Sequence, residues 1–336
     1  MSLSPGRPSP VGGAGLRRKV IRIGIQSPQI GQLADPAAVK TVATAAEVAG
    51  YSSLWVLDRL PAPINPRTGY GGMEGVTLPE DQARALDPLA VLATVAAVTS
   101  RVRIGTGVLV APWYPPAVLA RALTSLDVLS EGRLTVGLGT GWSIDEYEAV
   151  GADIHRRGQD LDEVLDVLEA HWVVGPITYD GRRARIAPSK NLLRPVQVRP
   201  PVLLAAYTPA ALDRVARRAD GWVPAGFPVD AIGPTWNQVR DAASGYGRDA
   251  DSMELVVRAN IYVSDHPVTG FYVSDRPVAG ERTPYTGSVD QIVDDVAATR
   301  DAGADEIILH LHGDPSLDEA LDVYARITEA VGIPAA

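Results

Sequence analysis

The chain has 336 residues, 46% of them hydrophobic, with no cysteine and a formal charge of −9. That is the composition of a globular chain with a sizeable core, and it excludes disulfides, zinc–thiolate sites, iron–sulfur clusters and thiol nucleophiles together. No basic stripe suits nucleic acid, no apolar run reaches membrane-helix length, and the five histidines lack the spacing of a metal centre; the expectation is a cytoplasmic protein acting on a small molecule.

Residues 1–19, rich in Pro, Gly and Ser, read as a disordered or tag-like tail, and residues 20–333 as one domain. From there strands alternate with helices. "VIRIGIQ" (20–26) is β-branched, and "DPAAVKTVATAAEVAG" (35–50) opens on an Asp–Pro cap and closes on Gly50. "SSLWVLD" (52–58) is the second strand, but its helix (87–100) comes only after an insertion, residues 59–86. Residues 101–110 with 115–132, and 133–139 with 156–173, form the third and fourth units. A second insertion, 174–200, contains "TYDGRRARI", which reads as a hairpin over a glycine turn. Residues 201–206 with 208–219, 220–225 with 229–244, 253–263 with 288–303, and 304–312 with 316–332 complete eight units. A third insertion, 264–287, holds most of the tandem duplication "IYVSDHPVTGFYVSDRPVAG" (261–280), which reads as a lengthened surface loop. Eight strand–helix units with right-handed crossovers predict an α/β fold, a (β/α)8 TIM barrel.

The glycines of "EGRLTVGLGTGW" (131–142) lie after the fourth strand with G-x-G-x-G spacing. A dinucleotide fingerprint belongs to a first strand–helix turn and opens directly into a helix. These glycines are instead a strand end where a flat or phosphorylated ligand can approach the backbone. Alternation puts His310 and His312 on one face of the last strand, and Gln26 and Asn260 are further polar candidates near strand ends.

The run 101–151, with "GYSSLWVLDRL", "RGQDLDEVLDVL" and "PPVLLAAYTPAALDRVARRADGW", resembles the luciferase-like monooxygenase superfamily, in particular its branch using the deazaflavin coenzyme F420. The resemblance implies the same barrel. It implies a bulge with a non-prolyl cis peptide at Gly107–Val108 behind the cofactor ring, and Gly139, Thr140 and Gly141 at the ring edge or ribityl chain. A cofactor phosphate is implied at Ala206, Tyr207 and Thr208, where a helix N-terminus attracts anions.

Where relatives carry Asp–His, this chain has Asp58–Arg59. Asp58 could accept a hydrogen bond from a cofactor hydroxyl, whereas a guanidinium does not release its proton near neutral pH. His310 or His312 is the expected proton donor, because histidine titrates in the right range. Trp113, Tyr114, Trp142 and Asn260 are the expected substrate pocket.

The implied function is F420-dependent hydride transfer between the deazaflavin C5 and an organic substrate. The alternatives are an FMN-dependent monooxygenase activating oxygen, and a non-catalytic flavin-binding barrel. Arg67, Arg182, Arg183 and Arg185 are candidate cations for the longer F420 tail. A homodimer and a separate reductase regenerating the cofactor are the expected partners.

Overall fold

Among the residues described by a computed structural model, 20–60, 62–72, 74–262, 273–274 and 282–332, eight parallel strands close into a barrel. They are β1 (Arg22–Gln26), β2 (Ser53–Val56), β3 (Arg103–Thr106, resumed at Leu109–Val110), β4 (Leu134–Gly139), β5 (Val202–Leu204), β6 (Gly221–Trp222), β7 (Glu254–Tyr262) and β8 (Glu306–His312). Their order is β3-β2-β1-β8-β7-β6-β5-β4, and pairing of β3 with β4 closes the ring. The helices around it are α1 (Pro36–Ala49), α2 (Pro88–Val98), α3 (Pro116–Leu129), α4 (Ile144–Ala149), α5 (Arg157–Trp172), α6 (Pro209–Arg218), α7 (Val229–Gly245), α8 (Val289–Asp301) and α9 (Leu317–Val331).

The helix ends follow from local chemistry. Asp35 accepts from the amides of Ala37 and Ala38 at the start of α1, and Gly50 ends it at φ 82°. Ser288 with Gln291, and Ser316 with Glu319, form capping boxes on α8 and α9. The short α4, capped by Ser143, lies between two expected elements and was not anticipated; fewer than two turns leave no helical period to read.

Strand alternation divides the core in two. One set of side chains packs against the helices, while Trp55, Leu203, Val223, Val256 and Ile308 fill the barrel itself. The Trp55 ring lies against Gly105, where a Cβ would sit 2.5 Å from it. Beneath the ring, the amino-terminal end is shut by a charged cluster around the fully buried Glu306. Glu306 meets Ser53, Arg103 and Arg22, and Arg22 reaches Glu254 at 2.9 Å. Trp55 Nε1 donates to Ser53 Oγ at 2.6 Å, joining plug and floor. Any ligand site inside the barrel is therefore confined to its carboxyl-terminal mouth.

The first insertion supplies two short 3-10 turns, Tyr70–Gly72 and Glu80–Ala83. The second forms the expected hairpin, Ile177–Asp180 with Arg185–Ser189, held to α5 by Tyr179 on Asp166. Most of the duplicated stretch and the amino-terminal tail lie outside the described residues. No helix among those described is long and apolar enough to cross a membrane.

Candidate active site at the carboxyl-terminal mouth

The floor of the mouth is apolar. Val108 and Ala205, both half-buried, rest on the inner cluster headed by Trp55. The Gly107–Val108 peptide is cis, as the resemblance implied, and it interrupts β3 at this point. A Cβ on Gly139 would lie 2.7 Å from Val108 Cγ2, so a glycine there is what lets Val108 lie in place. Gly141 turns the chain out of β4 at φ 59°, and the Thr140 carbonyl accepts from the Tyr147 hydroxyl at 2.5 Å.

One wall comes from β7 and β8. His310 and His312 share the inward parity of Glu306 and Ile308, and both are buried. Their ring centroids are 3.8 Å apart. Asn260, opposite His310 in register, contacts His312 Nε2 through Oδ1 at 3.3 Å. Arg258, two residues earlier on the same face, donates to the Gly107 carbonyl at 3.0 Å and to His310 Nδ1 from Nε at 3.1 Å. A guanidinium can only donate, so Nδ1 is the acceptor and the His310 proton is on Nε2. Burial, then the Arg258 charge, holds both imidazoles well below the usual histidine range. This corrects the expected role. His310 is a neutral, fixed hydrogen-bond donor, not an acid that titrates near neutrality.

A second wall begins at the end of β2. Asp58 Oδ2 accepts from the Val110 amide at 3.0 Å and the Tyr114 hydroxyl at 2.9 Å. Burial nevertheless pushes its carboxyl up to about 7. Tyr114 thus faces Asp58 and is a holder of that carboxyl more than a substrate wall. Trp113 is buried edge-on against Tyr147, 6.3 Å between centroids, in a small satellite core with Val110.

Arg59 lies over the Trp142 ring, 5.2 Å from its centroid, and 3.4 Å from Glu146. Tyr70 of the first insertion meets Trp142 edge-on at 5.7 Å. Gln26 is buried at the end of β1 and donates to Gln29 Oε1 at 3.4 Å, while its own Oε1 has no hydrogen-bond partner among the described residues. Gln29 staples the β1 loop to the backbone of Leu57 and Leu86.

The expected phosphate turn is more closed than its sequence suggests. Ala206 is buried and its carbonyl accepts from Trp222 Nε1 at 3.0 Å. The exposed Tyr207 ties its hydroxyl to Ala225. Thr208 caps α6 through the Ala211 amide at 3.3 Å. The insertion arginines are all engaged as well: Arg67 with Asp145 and Glu148, Arg182 and Arg183 with Asp160, and Arg185 with Asp180. Arg67 and Arg185 have carboxylates of their own, whereas Arg182 and Arg183 share that of Asp160 and Arg183 Nη1 is buried without a hydrogen-bond partner among the described residues, so most of the expected cations for a long anionic tail are already engaged.

These shifts set the pH dependence of stability. The histidine protons are bound in the unfolded chain below about 6.5 but not in the folded one, so stability is lost as pH falls through that value. Asp58 works the other way: the folded state keeps its proton up to about 7 and the unfolded state does not. The histidines and Asp58 therefore act in opposite directions, and the carboxyl offsets part of the acid-side loss between about pH 5 and 7. Asp58→Asn removes the opposing contribution and steepens the acid-side loss in denaturant titrations across pH 5–7. An unchanged slope contradicts the assignment.

The comparisons with known proteins agree with this architecture. The sequence profile described as Luciferase-like monooxygenase matches residues 20–268. An uncharacterized protein of Mycobacterium tuberculosis is 35% identical over 206 residues, 61% of this chain and 73% of that protein. An F420-dependent glucose-6-phosphate dehydrogenase of Nocardia farcinica is 27% identical over 53% of this chain and 55% of its own length. Among solved structures, the monooxygenase RslO1 from Streptomyces bottropensis superposes with a TM-score of 0.73 at 21% identity, covering 92% of this chain and 98% of that one. An F420-dependent secondary alcohol dehydrogenase, in complex with an F420-acetone adduct, does so at 0.73 and 16%, covering 93% and 99%. By sequence profile and by fold, the chain belongs to the luciferase-like monooxygenase family.

Proposed function

We propose that the protein is an F420-dependent oxidoreductase that transfers hydride to or from an organic substrate at the barrel mouth. The observation that carries this reading is the half-buried floor of Val108 and Ala205, walled on one side by Arg258, His310, His312 and Asn260 and closed from below. The residues fit a flat ring with polar edges: glycine at 139 leaves the floor clear of a Cβ, and buried Gln26 Oε1 offers an unmet acceptor. A bound deazaflavin supplies a ring carbon able to accept or donate hydride.

The chain's own groups then divide the work. Val108 and Ala205 would support the ring, and Gly139, Thr140 and Gly141 would offer backbone to its edge. Thr208 and the first turn of α6 would hold a phosphate. His310, fixed as an Nε2–H donor, offers a hydrogen bond without acquiring charge. Asp58, with its carboxyl near 7, can hold or release a proton close to neutrality, as the proton that accompanies hydride transfer requires. A homodimer, and a separate reductase recharging the cofactor, complete the reading.

The pairing of Arg67, Arg182 and Arg185 with carboxylates favours a second reading, an enzyme that takes FMN, whose tail is shorter. Anaerobic incubation with oxidised F420 and a panel of secondary alcohols separates the two. Bleaching of the deazaflavin absorbance by the wild type, and its loss in Asp58→Asn, is expected. Oxygen consumption with reduced FMN, and no bleaching of F420, would select the second.

A further inference from the structure

Arg59 stands out among the charged groups of the mouth because its side chain is 7% exposed yet poorly served. A guanidinium carries five N–H donors in a planar fork. Among the described residues, Arg59 has one ion contact, to Glu146 Oε1 at 3.4 Å, and its Nε is buried without a hydrogen-bond partner. That Glu146 oxygen already accepts from the Leu60 amide at 3.0 Å. Trp142 covers one face of the group, and Tyr70, which packs on Trp142, is close enough to Arg59 and Arg258 for both charges to act on its hydroxyl. A buried charge held this loosely costs free energy unless a partner completes it. The unmet edge of the fork is therefore built for something that arrives.

We propose that Arg59 is the recognition group for a carboxylate on the substrate. The proposal rests on the mouth being the substrate site, as argued above, and adds the class of molecule: an organic monocarboxylate. The planar fork matches a carboxylate through two parallel hydrogen bonds. Glu146 argues against a dianion, because its carboxylate, 3.4 Å from Arg59, already offsets the guanidinium charge and repels each further negative charge brought to the fork. The Trp142 ring that covers the guanidinium, with Tyr70 packed on it, puts apolar surface next to the fork, which suits the hydrocarbon part of such an acid. Arg59 here binds and orients the substrate and takes no part in proton transfer.

The test uses benzoate, benzamide and phenyl phosphate as probes, titrated at matched ionic strength and followed by tryptophan fluorescence, with Trp142→Phe identifying the reporter. Benzoate is expected to bind about ten-fold tighter than benzamide and tighter than phenyl phosphate, a difference lost in Arg59→Gln and partly kept in Arg59→Lys. Arg59→Gln leaves Glu146 without its counter-charge, so Arg59→Gln/Glu146→Gln carries the comparison should the single variant not fold.

Equal binding of benzoate and benzamide, or a benzoate preference that survives loss of Arg59, overturns the proposal; phenyl phosphate binding best overturns the carboxylate assignment. F420 and FMN are titrated on the same variants. Cofactor affinity within about two-fold of wild type keeps Arg59 on the substrate side, and a larger loss moves it to the cofactor and overturns the proposal. Arg59-dependent benzoate binding in a protein that binds neither cofactor sustains the carboxylate site while contradicting the oxidoreductase reading.

Discussion

Gly139→Val is expected to weaken cofactor binding about 100-fold, equivalent to about 2.7 kcal/mol. A Cβ at this position lies 2.7 Å from Val108 Cγ2 and 3.5 Å from the Ala205 Cβ, the two side chains that make the floor. Valine is stiff at χ1, so Val108 cannot swing clear, and the floor rises into the space of the ring. Overpacking of this kind also costs about 1–3 kcal/mol of stability, visible in urea titrations. Gly245→Ala is the matched control. It lies at the end of α7 with no atom within 4 Å of the added Cβ, and it should leave binding unchanged. Equal cofactor affinity in both variants would remove Val108 and Ala205 from the site.

Glu306→Ala is expected to lose about 2–3 kcal/mol of stability, a large fraction of the total for an ordinary domain. The carboxylate is wholly buried and is shared by Arg22 and Arg103, with Ser53 and Trp55 Nε1 on its other oxygen. Its removal leaves two inward guanidinium groups beneath the Trp55 ring, with Glu254 as their remaining carboxylate among the described contacts. Glu306→Gln keeps the shape and the contact with Ser53 and should lose less. Because the cluster is at the opposite end of the barrel from the mouth, variants that still fold should bind cofactor as the wild type does. A Glu306→Ala protein with wild-type stability would show that the charged floor contributes nothing.

The barrel was legible in the sequence because each unit is specified locally. Asp35–Pro36 and Gly50 mark both ends of α1, and the capping boxes at Ser288 and Ser316 open α8 and α9, with no help from distant parts of the chain. That His310 and His312 share one face was readable from strand alternation, while the inward direction of that face came only with the barrel, where they keep the parity of Glu306 and Ile308. The charge state of the two histidines was not readable, since it is set by Arg258, 52 residues from His310 and on the neighbouring strand. Arg258 itself was within reach: it shares a face with Asn260, and an arginine in the middle of an apolar strand is unusual. The fates of Arg67 and Arg182 were out of reach, because they depend on how the insertions fold back onto Asp145 and Asp160. The packing of Trp113 was out of reach for a related reason, as α4 brings Tyr147 against it. The cofactor class entered through resemblance alone; no spacing in the chain distinguishes a deazaflavin from a flavin.

The most direct measurement is a parallel titration of the purified wild-type protein with F420 and with FMN, followed by intrinsic tryptophan fluorescence and repeated on Gly139→Val. Saturable F420 binding, about ten-fold or more tighter than FMN and lost in the variant, is the predicted result. Binding of neither ligand, or F420 binding untouched by Gly139→Val, would contradict a deazaflavin site on the Val108 floor.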